Sequence, residues 1–186
     1  MDKKEQNKRF HWLADMINIY QYKTGAEIGC RVGATTGYIL RNCPSIQMLY
    51  AVDIWDVVPE SVQTSYWLSV YRNTSVGGFR SMKRKFERNT MGFKKNTTVL
   101  QGLSWKMAQN VADRSLDFVF IDADHAYESV VKDITAWTPK LKEDGLLCGH
   151  DYNLEGVNRA INELVPDWQA TGIDHVWYSG NNVQNA

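Results

Sequence analysis

Cysteine is scarce. The chain of 186 residues has three, Cys30, Cys43 and Cys148, with no CxxC spacing. An odd count in that arrangement argues against a disulfide framework or a structural zinc site, and it suits a reducing, cytoplasmic setting. An excess of one charge is also lacking, since 21 Lys and Arg face 21 Asp and Glu. No net field draws the chain to nucleic acid or to an anionic membrane. Long apolar runs are missing as well. HWLADMINIYQY near the start is broken by Asp15 and Asn18, so it reads neither as a signal peptide nor as a membrane span. No internal repeat is present, and only the tail SGNNVQNA looks loose enough to fray. What remains is an ordinary globular composition, 44% hydrophobic and 23% charged. A chain of this length reads as one domain, able to bury roughly 70% of the surface its unfolded form exposes.

The apolar pattern alternates between two types. FHWLADMINIYQY spaces its apolar residues as an amphipathic helix does. TGAEIGC, QMLYAVDIW, TTVLQG, LDFVFIDAD and GLLCGHDY are short, nearly continuous apolar runs and read as buried strands. Between and after them ATTGYILRNC (stopped by Pro44), SWKMAQNVAD, AYESVVKDITAWTPKLK and LEGVNRAINELV read as helices, and DWQATGIDHVWYSG as two short strands around Gly172. This alternation predicts an α/β fold with a parallel sheet covered on both faces. Ligands bind such sheets beyond the carboxyl ends of the strands. Those ends carry Glu27, Asp53, the group Asp122, Asp124 and His125, and the pair His150 and Asp151.

EIGCRVGATT places Gly29 and Gly33 between a strand and a helix, where the backbone can turn tightly and approach a ligand. The spacing is GxxxG, so the GxGxxG dinucleotide fingerprint is incomplete. Glu27 would repel a pyrophosphate and attract an ammonium group. Asp53 is placed to accept hydrogen bonds from ribose hydroxyls. A ligand with both an amino-acid part and a ribose fits this better than a dinucleotide.

EIGCRVG, YAVDIW and FIDADHAYESVVKDITAWTPKLKEDGLLCGHDY together resemble the class I S-adenosylmethionine-dependent methyltransferases. The similarity is greatest to small O-methyltransferases of the catechol and caffeoyl-coenzyme A type and to the macrolide-sugar O-methyltransferases. It covers about residues 22–180 apart from 56–95. The resemblance implies a Rossmann-like methyltransferase fold with a mostly parallel seven-stranded sheet. It implies that Glu27 and the Gly29–Cys30 backbone, with Gly33, hold the methionine part of S-adenosylmethionine. Thr35 would bind the methionine carboxylate, Asp53 the ribose, and Ile54 and Ser104 the adenine. Many relatives have an acid where this chain has Leu103.

Methyl transfer to a hydroxyl needs a base to take the proton, or a cation to lower the hydroxyl's pKa. By resemblance His125 occupies the position of a catalytic Lys in catechol-type enzymes and of a His in macrolide-sugar enzymes. Asp122 and Asp151 would hold a divalent cation such as Mg²⁺ or Mn²⁺. The relatives have Asp-Asn or Glu-Asp where this chain has His150-Asp151. A His ligand would shift preference toward Mn²⁺, Fe²⁺ or Zn²⁺, or the position holds no metal. Asp124 is open between a helix cap and a contact to the cofactor or to His125. Cys148 reads as a small buried apolar residue.

Residues 56–95 match nothing. Phe79, Met82 and Phe86 follow helical spacing with basic residues on the other faces. The segment reads either as an amphipathic helix or as an inserted lid hinged at Gly77-Gly78, with Trp55, Tyr66, Trp67 and Tyr71 lining the acceptor site. The expected acceptor is a small molecule or a sugar, and neither nucleic acid nor a membrane is expected as partner. A metal-independent methyltransferase and a non-catalytic binding protein remain as alternatives, and a homo-oligomer stays open.

Overall fold

The computed structural model describes residues 8–55 and 76–180. The expectation of a lid that rests on Tyr66, Trp67 and Tyr71 lies outside the described residues.

Seven strands form one sheet in the order β3-β2-β1-β4-β5-β7-β6. The strands are β1 (Thr24–Ile28), β2 (Met48–Asp53), β3 (Thr97–Gln101), β4 (Leu116–Ile121), β5 (Leu141–Gly149), β6 (Gln169–Ala170) and β7 (Trp177–Ser179). The first five pair in parallel, while β7 runs antiparallel to β5 and β6 antiparallel to β7. This is the fold expected of the sequence. β1 and β4 are buried almost throughout, which is why they read as continuous apolar runs rather than alternating ones. Asp117 pins their lower ends: its carboxylate accepts the N–H groups of Lys23 and Thr24 at 2.7 and 2.8 Å and pairs with Lys142 at 2.6 Å.

Among the described residues six α-helices flank the sheet: α1 (Arg9–Tyr20), α2 (Ala34–Asn42), α3 (Val76–Asn89), α4 (Ser104–Met107), α5 (Tyr127–Trp137) and α6 (Glu155–Leu164). On one face Leu13 and Ile17 of α1 and Ile39 and Leu40 of α2 pack against Leu49, Phe118, Phe120 and Leu146. On the other, Val130, Ile134 and Trp137 of α5 and Val157, Ala160 and Ile161 of α6 pack against Ala26, Ile28, Val119 and Ile121. In α1, α5 and α6 the i, i+3, i+4 spacing of these residues puts each set on one helix face.

Three boundaries depart from the sequence reading. The helix expected over SWKMAQNVAD turns to a 3₁₀ turn at Ala108–Asn110. That turn brings Ala108 and Val111 into the core, and Asn110 Nδ2 donates to the Met107 carbonyl at 3.1 Å. The helix expected to reach Lys142 stops at Trp137, because Pro139 cannot donate to the next turn. β5 then begins at Leu141, four residues before the expected Gly145. Gly77 and Gly78 fall in the first turn of α3, which spans the Phe79, Met82 and Phe86 spacing. No helix among the described residues is long and apolar enough to cross a membrane.

Candidate active site

The strand order reverses between β1 and β4, and the two loops that leave them touch. Asp122 donates its N–H to the Ile28 carbonyl at 2.7 Å. Gly29 has φ +97°, and a Cβ there would lie 2.1 Å from the Asp122 carbonyl oxygen. Only glycine allows both this conformation and this approach. The glycine loop and the polar end of β4 are thus one piece of backbone geometry.

On the loop side Glu27 is 2% exposed, and the Thr36 hydroxyl donates to its Oε2. Burial outweighs that hydrogen bond and raises Glu27 to about 8, with Asp122 and Asp53 adding repulsion. The free protein therefore holds Glu27 largely protonated at neutral pH, where the sequence reading had it as a standing carboxylate. A raised acid costs stability as pH climbs from its unfolded value toward its folded one, because the unfolded chain has already lost the proton. Glu27→Gln is expected to abolish this dependence. Relative to the parent its chemical-denaturation stability should rise by up to about 1 kcal/mol per pH unit between pH 5 and 8. A difference that is flat with pH would contradict the assignment.

Gly29 and Cys30 direct their N–H groups to the Val52 carbonyl at 2.8 and 3.4 Å. Gly33 has φ +72° and opens α2, and a Cβ there would strike Phe86. Thr35 is buried in the first turn of α2. Asp53 is spanned by two backbone donors, Arg31 at 2.6 Å to Oδ2 and Trp55 at 3.0 Å to Oδ1. Burial raises its pKa against the opposing effect of those bonds. Each oxygen retains a second lone pair for a further donor. The Ile54 carbonyl accepts from Gln101 at 3.1 Å. Trp55 is buried, packs its ring at a tilt with its centroid 4.7 Å from that of Phe86 and donates Nε1–H to the Arg31 carbonyl at 2.6 Å. It braces the loop instead of lining an open acceptor site. Ser104 gives its hydroxyl to Asp133, a buried acid on α5 that burial raises to about 7.

On the other side of the reversal lies a dense charge cluster. His125 Nε2 is 3.0 Å from Asp151 Oδ2, and His150 Nδ1 lies 3.0 Å from the same oxygen and 3.6 Å from Asp122 Oδ1. Burial would lower His150, but the Asp122 and Asp151 carboxylates raise it to about 9. Burial would raise Asp151, but His125 and His150 together hold it well below the usual carboxylate range. Asp151 takes up a left-handed backbone (φ +60°) just after β5, which turns its carboxylate toward β4. Asp124 lies three residues before α5: its Oδ1 accepts from Ala126 N–H at 3.3 Å and its Oδ2 from the Ser129 hydroxyl at 2.6 Å, while the N-cap position is Ala126, without a side-chain cap.

Two members of the cluster gave no sequence signal. Arg9, the first residue of α1, places Nε 3.0 Å from Asp122 Oδ2. Asp174, in the turn before β7, accepts the Arg9 backbone N–H at 3.0 Å and lies 3.6 Å from His150 Nε2. These partners are 165 residues apart, and no local spacing announces them. Ligand atoms of Asp122, His125 and Asp151 converge within 4.8 Å of one another. That trio has His125 in the place the sequence reading gave to His150, which in the free protein is held as an imidazolium.

A family model described as a methyltransferase domain matches residues 26–152. The chain belongs to this family. It is an S-adenosylmethionine-dependent methyltransferase, and its glycine loop lies at the reversal point of the sheet. No curated protein matches the sequence. Among solved structures, the methyltransferase is similar to the O-methyltransferase NovP, with a TM-score of 0.71 and 16% identity over 92% of this chain and 77% of NovP. A Staphylococcus aureus protein assigned as a caffeoyl-CoA O-methyltransferase gives 0.65 and 17% over 96% and 82%. The calicheamicin methyltransferase CalS11 gives 0.66 and 12% over 96% and 82%. At these identities the likeness establishes the fold.

Proposed function

We propose that this methyltransferase transfers its methyl group to a hydroxyl of a small molecule or sugar, with His125 as general base. The observation that carries this reading is the His125–Asp151 pair at 3.0 Å, set at the end of β4 beside the glycine loop. S-adenosylmethionine supplies a sulfonium-bound methyl group that leaves by in-line displacement. Glu27 would receive the cofactor's ammonium group, giving up its proton as it does so, and Asp53 would receive the ribose hydroxyls. The Asp151 carboxylate, 3.0 Å from Nε2, would hold the His125 ring in place and stabilise the imidazolium that forms on proton transfer. His125 takes the acceptor's hydroxyl proton as the oxygen bonds to the methyl carbon and the carbon–sulfur bond breaks onto sulfur.

The donor set of Asp122 and Asp151, with His125 in reach, suits a divalent cation such as Mn²⁺ or Mg²⁺. Bound there, the ion would lower the pKa of the acceptor hydroxyl. The O-methyltransferase NovP and the calicheamicin methyltransferase CalS11 share the fold, and the first supports a hydroxylated small-molecule acceptor. The test is a panel of catechols and sugars with S-adenosylmethionine, read as S-adenosylhomocysteine release and a mass gain of one methyl. Methylation of amines or thiols only would overturn the reading. For an acceptor that turns over, chelation followed by dialysis should lower the rate roughly a hundredfold, and added Mg²⁺ or Mn²⁺ should restore it. Full activity of a verified metal-free preparation would remove the metal from the mechanism.

A further inference from the structure

The Arg9 guanidinium stands at the acid on which the proposed cation site is centred. Its Nε lies 3.0 Å from Asp122 Oδ2, and its Nη1 lies 3.8 Å from Asp174 Oδ2. The main chain at the same residue is tied independently, by the N–H to Asp174 at 3.0 Å. The backbone anchor and the side-chain ion pair are therefore separable. The side chain could leave Asp122 while α1 stays in place. It has somewhere to go, being 32% exposed where Asp122 is 13% exposed. Arg9 is also not placed to recruit an anionic acceptor, because two carboxylates already face it.

We propose that Arg9 is a built-in counter-cation for Asp122, which competes with a divalent ion for that carboxylate and swings to solvent when the ion binds. The inference rests on the reading above that Asp122, with Asp151, is a cation site. A guanidinium and a metal ion sharing the Asp122 carboxylate would hold two positive charges a few ångströms apart, so each weakens the other's hold on it. Their binding is linked, and whatever Arg9 contributes to holding Asp122 is subtracted from metal affinity. Arg9 thereby sets how much free metal the site needs, and it keeps Asp122 compensated when no ion is bound.

The test is Mn²⁺ alone, titrated into the full chain by calorimetry and by the loss of the free-ion spin-resonance signal. Arg9→Gln should bind Mn²⁺ roughly tenfold more tightly than the parent. Arg9→Lys, which restores the charge on a more flexible stem, should fall back toward the parent. Melting curves recorded with and without Mn²⁺ give a second readout, in which the metal-induced rise should be larger for Arg9→Gln. If Arg9 were only structural, the metal-free melting point would fall and the Mn²⁺ affinity would not move, and that result overturns the proposal. Equal Mn²⁺ binding by parent and Arg9→Gln sinks the competition while leaving the cation site intact. Absence of Mn²⁺ binding in both overturns the site and the competition together.

Discussion

His125→Ala should lower turnover by roughly a hundred- to ten-thousandfold, with cofactor affinity close to that of the parent. The imidazole lies 3.0 Å from Asp151, whereas the groups proposed to hold the cofactor lie across the strand reversal. Stability should change little. What packs tightly at His125 is its main chain, since a Cβ on Gly156 of α6 would lie 2.3 Å from the His125 carbonyl oxygen, and alanine keeps that carbonyl. A rate loss of this kind removes stabilisation made only in the transition state. Added imidazole should recover part of the lost rate in the alanine variant, which a residue serving only to hold the fold would not permit. Loss of cofactor binding in step with turnover would remove His125 from the role of base.

Gly29→Ala should be the most damaging single methyl group in the protein. The new Cβ would lie 2.1 Å from the Asp122 carbonyl oxygen and 2.8 Å from the Ala123 Cα. Both obstacles are main-chain atoms, so no side chain can rotate away. The residue would also have to hold φ +97°, a region that costs an L-residue about 1–3 kcal/mol. Overpacking adds a similar amount. A loss of about 3 kcal/mol or more in urea denaturation is expected, and cofactor binding should fall with it because β1 and β4 are pushed apart at the reversal. Gly92→Ala is the comparison. It also has positive φ (+105°), but a Cβ there meets nothing within 4 Å, so its cost should be the smaller, conformational part alone. Equal losses at the two positions would show that the contact with Asp122 contributes nothing.

The parts of this molecule that could be read from its sequence are those with a local cause. The central strands β1 and β4 and the end of β5 were visible because burial on both faces writes them as apolar runs. Their polar ends were visible because Asp122 or Asp151 after such a run breaks the pattern. Gly29 and Gly33 were visible because a strand-to-helix turn needs positive φ. Asp124 was legible only as a choice, and it bonds to Ala126 and Ser129 just ahead of and inside the first turn of α5 without occupying its cap position. The groups that were not legible owe their place to chain distance. Arg9 looks like any basic residue ahead of a helix, and Asp174 like any loop acid, until β7 folds back beside β5. The same holds for Ser104 and Asp133, which meet across the contact of α4 and α5. The protonation of Glu27 and His150 was hidden for a different reason. It depends on how many carboxylates share a buried space, and sequence order does not report that.

The bond between Arg9 and Asp174 also has a consequence in time. A ribosome emits Arg9 first among the cluster's residues and Asp174 last, after β4 and β5 have been made. Until the β6–β7 hairpin docks, the start of α1 has no acid to hold its N–H, and the guanidinium lacks one of its two carboxylates. The charge cluster is therefore complete only once Asp174 has been made, and a product stalled or clipped before it would carry the glycine loop without the full set of partners.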